Sequence, residues 1–249
     1  PGVGLITAGL FFLVWGLIET NDHSWTSAYT LGFLGAAAVT LAAFVWWEAR
    51  TANPMVPLEF FRTAAFSAPV VLVAFVGLAL FGVVYFITLY FQNVKGWSPQ
   101  KSGVAALPLT GMVMLVGPMA GTLQSRFTPR QLMTTGMLML SGGLLGLSQL
   151  QVDSSYNSIW PFYVLMGVGL ACTMPTTSAT AMAAVDPRKA GVASGVVNAA
   201  RQVGAAVGLA VLGAVGATLA SSSWQDDVAQ LPPAARGPAS ALEELVIGG

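Results

Sequence analysis

Charge is the scarce ingredient of this 249-residue sequence: ten residues are Lys or Arg, ten are Asp or Glu, one is His and one is Cys. A soluble domain has about a quarter of its residues charged, whereas here the fraction is 8%, beside 55% hydrophobic residues and a mean hydropathy of +0.72. That shortage excludes an ordinary water-soluble fold. A formal net charge of zero leaves no global field to draw in nucleic acid. The single cysteine, Cys172, excludes an internal disulfide and reads as a small apolar packing group. Gly2 to Ile18 lacks the basic leading region of a secretory signal. The only histidine, His23, lies between apolar runs, and no Asp or Glu falls inside one. The carboxylate pairs, His/Glu sets and Ser/His couples needed for intramembrane hydrolysis or metal binding are therefore not expected, and neither is a cofactor.

What the sequence has in abundance is long apolar stretches. Seven runs stand out: Gly2 to Ile18, Ala28 to Trp47, Phe66 to Phe91, Gly103 to Leu123, Leu132 to Leu150, Ile159 to Val185 and Val192 to Ala220. Most exceed the roughly 18 apolar residues that carry a helix across a bilayer. Backbone groups in lipid must be paired internally, which leaves helices and closed barrels, and runs this long without alternation are helices. The fold class expected is an all-α membrane protein with seven transmembrane helices. Every charge except Arg201 falls in the breaks. The breaks at Glu48 to Thr63, Gln124 to Gln131 and Asp186 to Ala190 share one side of the membrane and hold Arg50, Arg62, Arg126, Arg130, Arg188 and Lys189. The other side has only Lys95, Lys101 and Arg236 among its basic residues. The positive-inside rule puts the first side, with Pro1, in the cytoplasm and residues 221–249 outside. A chain that begins inside a hydrophobic run and ends in a polar segment leading to no further span reads as an internal piece of a longer protein.

Three function classes fit a polytopic protein. Intramembrane catalysis lacks its residues. A retinal protein needs a lysine deep in its last helix, and Lys95, Lys101 and Lys189 all lie in loops. A freestanding seven-helix receptor or scaffold is an alternative, although a receptor has its amino terminus outside, opposite to the charge count. Transport needs small residues, helix breaks and uncharged polar stripes. In the third run Phe81, Tyr85, Thr88 and Gln92 share a helical face; in the fourth, Thr110, Met114, Gly117 and Gly121 do so, with Pro118 placed to bend the helix; in the sixth, Thr173, Thr177 and Thr180 form another stripe. Each stripe reads either as cavity lining or as threonines bonded to their own helix and a tyrosine anchored at the interface. Gly191/Gly195 and Gly204/Gly208 mark close helix packing.

Arg201 is the sharpest single residue. A helix entering lipid at Gly191 carries it roughly 15 Å deep, where an intramembrane charge marks a functional site. A helix whose first turns stand in the cytosol instead lets Arg201 snorkel to the interface. Asn198 and Gln202 give the same helix a polar face suited to either placement.

Four stretches, in order, carry a resemblance. Asn53-Pro54-Met55-Val56-Pro57-Leu58 precedes Phe61-Arg62 and Phe66-Ser67. Tyr90-Phe91-Gln92-Asn93-Val94 precedes Gly96, Ser98-Pro99, Gly103 and Pro108. Ala190-Gly191-Val192-Ala193-Ser194-Gly195 precedes Asn198, Arg201-Gln202 and Gly204. Gly16 with Ser24-Trp25 completes the set. Together they resemble helices seven to thirteen of the fourteen-helix drug:proton antiporters of the major facilitator superfamily, EmrB/QacA type. The resemblance implies a partial major facilitator fold: residues 1–47 as two linker helices, 48–65 as a cytoplasmic linker, 66–220 as five helices of the carboxy-terminal half, and 221–249 as an outer loop leading to a missing last helix. It implies proton-coupled efflux of a small amphipathic organic substrate through the cell membrane, with uniport or symport as the alternative within transport. The partners implied are the lipid bilayer, the substrate, protons and a missing amino-terminal half of the same chain. Tyr85, Thr88, Gln92, Met114, Thr173, Thr177, Asn198 and Gln202 are then expected to line the substrate cavity, with Arg201 orienting substrate or bracing the helix.

Two departures stand out. Gly121, Arg126 and Arg130 fit a weak copy of the superfamily's cytoplasmic gating motif, but Ser125 replaces its acid and Thr128 its second glycine. Gly117-Pro118-Met119-Ala120-Gly121 echoes an antiporter motif that belongs to the missing half, and here reads as a bend with close packing. No carboxylate for proton coupling is expected in this piece. The topology is checked by reporter fusion: alkaline phosphatase joined after Asp153 is expected to be active and after Arg126 silent, and the reverse pattern places the chain upside down.

Overall fold

The computed structural model describes residues 1–19, 26–51 and 54–230. Among these the regular structure is helical: α1 (Gly2–Ile18), α2 (Ala28–Arg50), α3 (Ala64–Leu89), α4 (Pro99–Ala105), α5 (Leu107–Val116), α6 (Ala120–Gln124), α7 (Pro129–Leu147), α8 (Tyr156–Ala183) and α9 (Ala190–Gln230). Each of the seven apolar runs is carried by these helices, although the third, fifth and sixth outlast α3, α7 and α8 by two or three residues. Among the described residues, five helical stretches are long and apolar enough to cross a membrane. The remaining two fall short for visible reasons: α1 has 17 residues, and α7 opens on Pro129, Arg130 and Gln131. His23, Ser24-Trp25, Asn53 and the tail 231–249 lie outside the described residues.

Helix ends follow local chemistry. Ser98 and Thr128 each precede a proline at the first helical position and accept a bond from the backbone N–H three residues on; at Thr128 the Gln131 side chain answers to close a capping box. The segment Tyr90–Val94 widens into a π turn, and Gly96, at φ +64°, lets the chain stop there at no steric cost. At Gly117–Met119 the fourth run tightens into a 3₁₀ turn between α5 and α6, where Pro118 supplies no N–H.

Two ends run further than the apolar runs. Backbone bonding in α2 continues past Trp47 to Arg50, so Glu48, placed outside the run on hydropathy, is instead helical and only 3% exposed. Helix α9 continues past Ala220 to Gln230. Hydropathy marks where lipid contact ends, whereas a helix stops only where its bonding does.

The chain forms two compact units, residues 56–204 and residues 1–55 with 205–249. In the latter, α1 lies against α2 along Gly2, Gly9 and Gly16, one face repeating every seven residues. A Cβ at Gly9 would stand 2.6 Å from Leu41 Cδ2 and one at Gly16 3.0 Å from Phe33 Cβ.

In the 56–204 unit α7 and α8 pack with backbones touching. A Cβ on Gly136 would meet Thr173 Oγ1 and lie 2.7 Å from the Gly169 carbonyl, and one on Gly169 would lie 2.5 Å from the Gly136 carbonyl. Phe91, Leu109, Leu140, Tyr163 and Met166 fill the core around this pair. At one end Phe91 stacks on Trp97 at 4.7 Å, Lys101 caps the indole at 4.2 Å, and Tyr90 and Lys95 donate to the Gln151 and Val152 carbonyls. At the other end Phe60, Phe66, Val70 and Val73 pack with Ala181, Ala193 and Val197, beside a Glu59–Lys189 pair at 2.8 Å.

Close approach decides which glycines tolerate a methyl. Gly169→Ala is expected to lower stability by ~1–3 kcal/mol through overpacking. Gly111→Ala, with nothing within 4 Å of the added atom, is expected to be neutral or to gain up to about 1 kcal/mol of helix propensity. Unfolding midpoints of the purified variants in detergent compare the two, and equal midpoints contradict the packing described.

Candidate functional site

The site forms where α3, α8 and α9 approach at the Phe60 end of the 56–204 unit. On α8, Met174, Ser178 and Met182 recur every four residues; on α9, Ser194, Val197, Asn198 and Arg201 fall at offsets of three, four and seven; each set is one helical face. With Val73 of α3 they enclose a half-open cavity of about 190 Å³. Its depth is set by one backbone contact, because a Cβ on Gly204 would strike the Ala74 carbonyl. Three residues past Arg201, α9 is thus held against α3 one residue past Val73.

Arg201 is the twelfth residue of α9 and, among the described residues, the one charged residue on the wall. Its Nη2 donates to Asn198 Oδ1 at 2.6 Å. Helical side chains lean toward the amino-terminal end of their helix, and this bond fixes the guanidinium in that direction, one turn back along the cavity. The guanidinium has donors only, so the Asn198 oxygen must face it, and the amide NH₂ is left to donate elsewhere.

The remaining expected cavity residues are placed as follows. Thr173 and Thr177 are fully buried, face away from the cavity, and donate to the carbonyls of Gly169 at 2.8 Å and Thr173 at 2.5 Å. Thr180 likewise bonds Thr176. Tyr85 and Met114 are exposed, Met114 at 77%, and Gln202 is exposed one residue round from Arg201. Thr88 donates to Val84 at 2.6 Å, and Gln92 sits half-buried in the π turn. Of the nine expected residues, the cavity brings together Asn198 and Arg201. Gly121 opens on empty space, Arg126 and Arg130 are exposed, and Ser125 donates to the Thr122 carbonyl. Gly117 and Pro118 lie in the 3₁₀ turn.

Sequence reasoning missed Met174, Ser178 and Met182. Their four-residue spacing is as regular as that of the threonines, and they lie about 100° round the helix from them. No local signal separates the two sets, since a serine returns its hydroxyl to its own helix as a threonine does, as Ser125 shows. Ser178 and Ser194 make no such bond among the described residues.

Residues 1–209 match the model of the Major Facilitator Superfamily. The chain is 38% identical over 245 residues to a tetracenomycin C resistance and export protein of Streptomyces glaucescens, covering 98% of this chain and 46% of that protein. It is 36% identical to the multidrug resistance protein Stp of Mycobacterium tuberculosis, over 89% of this chain and 41% of that one. It is 34% identical to the puromycin resistance protein pur8 of Streptomyces alboniger, over 88% and 45%. The chain thus spans less than half the length of these relatives.

Cysteine substitution separates the two faces of α8. Cys172 is buried and is expected to stay unreactive, so single cysteines report cleanly. Ser178→Cys and Ser194→Cys are expected to take up a small hydrophilic maleimide, and Thr173→Cys and Thr177→Cys to resist it. Labelling at Thr177→Cys with none at Ser178→Cys contradicts the cavity.

Proposed function

The chain belongs to the major facilitator superfamily, and on that premise we propose that it is helices seven to thirteen of a fourteen-helix drug:proton antiporter of the EmrB/QacA type. It is an integral plasma-membrane protein of a transporter family, not an enzyme. The intact protein, in this reading, exports small organic compounds in exchange for protons. The names of the relatives, among them tetracenomycin C export and multidrug resistance, support that direction and cargo.

Residues 1–47 are the linker helices, 48–65 the cytoplasmic linker, 66–220 the carboxy-terminal helices, and 221–249 the outer segment before a last helix. The charge count supports a cytoplasmic Leu58–Arg62 end, and an exporter takes up cargo there. The observation that carries the proposal is the half-open cavity of α3, α8 and α9 with Arg201 on its wall. Asn198 and Arg201 contact cargo. Thr173 and Thr177 back the wall. Tyr85, Thr88, Gln92, Met114 and Gln202 lie on faces left for the amino-terminal half, which supplies the proton-coupling acid and the opposing wall. Gly121, Arg126 and Arg130 form the gating loop, and the Gly117-Pro118 turn gives its helix the bend needed for rocking between inward and outward states.

Efflux of a dye panel from cells producing the intact protein tests this. At least one dye is expected to be retained less than in cells lacking the protein, and a protonophore is expected to abolish the difference. Arg201→Ala and Asn198→Ala are each expected to cut efflux by about tenfold, the loss of one charge-assisted hydrogen bond, at normal expression. Unchanged efflux in both variants removes the cavity from the pathway, and indifference to the protonophore removes proton coupling.

A further inference from the structure

The polar groups of the cavity share a feature that its volume does not convey: they donate. Arg201 lends one N–H to Asn198 and keeps its others, and the Asn198 amide presents its NH₂. The Ser178 and Ser194 hydroxyls are uncommitted among the described residues. Among the described residues no carboxylate lines the wall. The acids of this unit act elsewhere: Glu59 pairs with Lys189, the Asp186 side chain caps the backbone of Arg188, and Asp153 lies in the loop between α7 and α8. The rest of the wall is Val73, Met174, Met182 and Val197, apolar and in the methionines adaptable. A cation with no counter-charge, held against apolar walls, repels cationic ligands and favours an anionic oxygen.

Building on the reading of this cavity as the cargo site, we infer that it binds the carboxylate, sulfonate or phosphate group of an amphipathic organic anion. About 190 Å³ is below the roughly 300–1,000 Å³ of a whole drug site, so the cavity takes the charged end while the body of the molecule leaves through the open side. The same chemistry is offered by a soluble organic anion or by an anionic lipid headgroup.

Two probes with one fluorophore test the inference: dansylglycine, an anion, and dansylcadaverine, a cation, titrated into the protein in phosphatidylcholine nanodiscs against empty discs. Wild type is expected to bind dansylglycine about tenfold or more tighter than dansylcadaverine, the worth of one charge-assisted contact. That ratio falls toward one in Arg201→Gln and is partly kept in Arg201→Lys, which retains the charge without the planar fork. A wild-type ratio near one overturns the inference even if the glutamine variant does not reconstitute, as does an unchanged ratio in that variant. Repeating the titration in discs containing phosphatidylglycerol identifies the source. If the difference between wild type and Arg201→Gln for dansylglycine vanishes there, lipid headgroups occupy the site; if it persists, soluble anions do, and either result upholds the anion site. Nothing is transported in these discs, so anion preference without cellular export overturns only the export reading. Export without the preference overturns only this inference.

Discussion

Everything in the 56–204 unit depends on helices approaching closely enough for backbone to touch backbone. Lipid tails are as apolar as leucine, so burying leucine between helices gains little over leaving it in the bilayer. What remains is dispersion, which falls off steeply with separation. Gly136 against Gly169 and Gly204 against Ala74 are among the closest such approaches, as is Gly167 against Leu109. The first contact makes α7 and α8 a rigid pair. The second fixes where α9 crosses α3, and therefore how deep Arg201 stands. At the two ends, the Phe91–Trp97 stack contributes about 0.5–1.5 kcal/mol beyond its burial, and the exposed Glu59–Lys189 pair about 0–1 kcal/mol.

Function follows from that packing. A helix carrying an arginine is costly in lipid unless the charge has somewhere to go. Here α9 turns Arg201 into a cavity, and Asn198, one turn earlier, holds it there. The apolar and methionine walls would otherwise be unremarkable lipid-like packing. The arginine makes them a site.

Much of this was legible from residues alone. Runs without charge foretold the helices, whereas the capped starts at Ser98-Pro99 and Thr128-Pro129 emerge only from the structure. Arg201 drew notice because it breaks a run. Hydropathy sees lipid contact and not backbone bonding, so the apolar runs stop at Trp47 and Ala220 while α2 and α9 continue to Arg50 and Gln230. On α8 the threonines drew notice because they are polar and evenly spaced, yet whether a hydroxyl serves a cavity or its own helix depends on what stands opposite. Opposite Thr173 stands Gly136, an apolar neighbour from a different run, which no local pattern on α8 encodes. Nor does any local pattern tell which face of α8 meets α9.

The central claim is that α9 is seated on α3 at Gly204 and Ala74 so that Arg201 points into a cavity and not into lipid. An electron cryomicroscopy map of the intact protein in nanodiscs tests it directly. The account predicts density for the Arg201 guanidinium on Asn198, between Met174 and Ser194, with the Ala74 and Gly204 backbones in contact. A guanidinium among the lipid headgroups, with side chains filling the space beside Ser178, would contradict it.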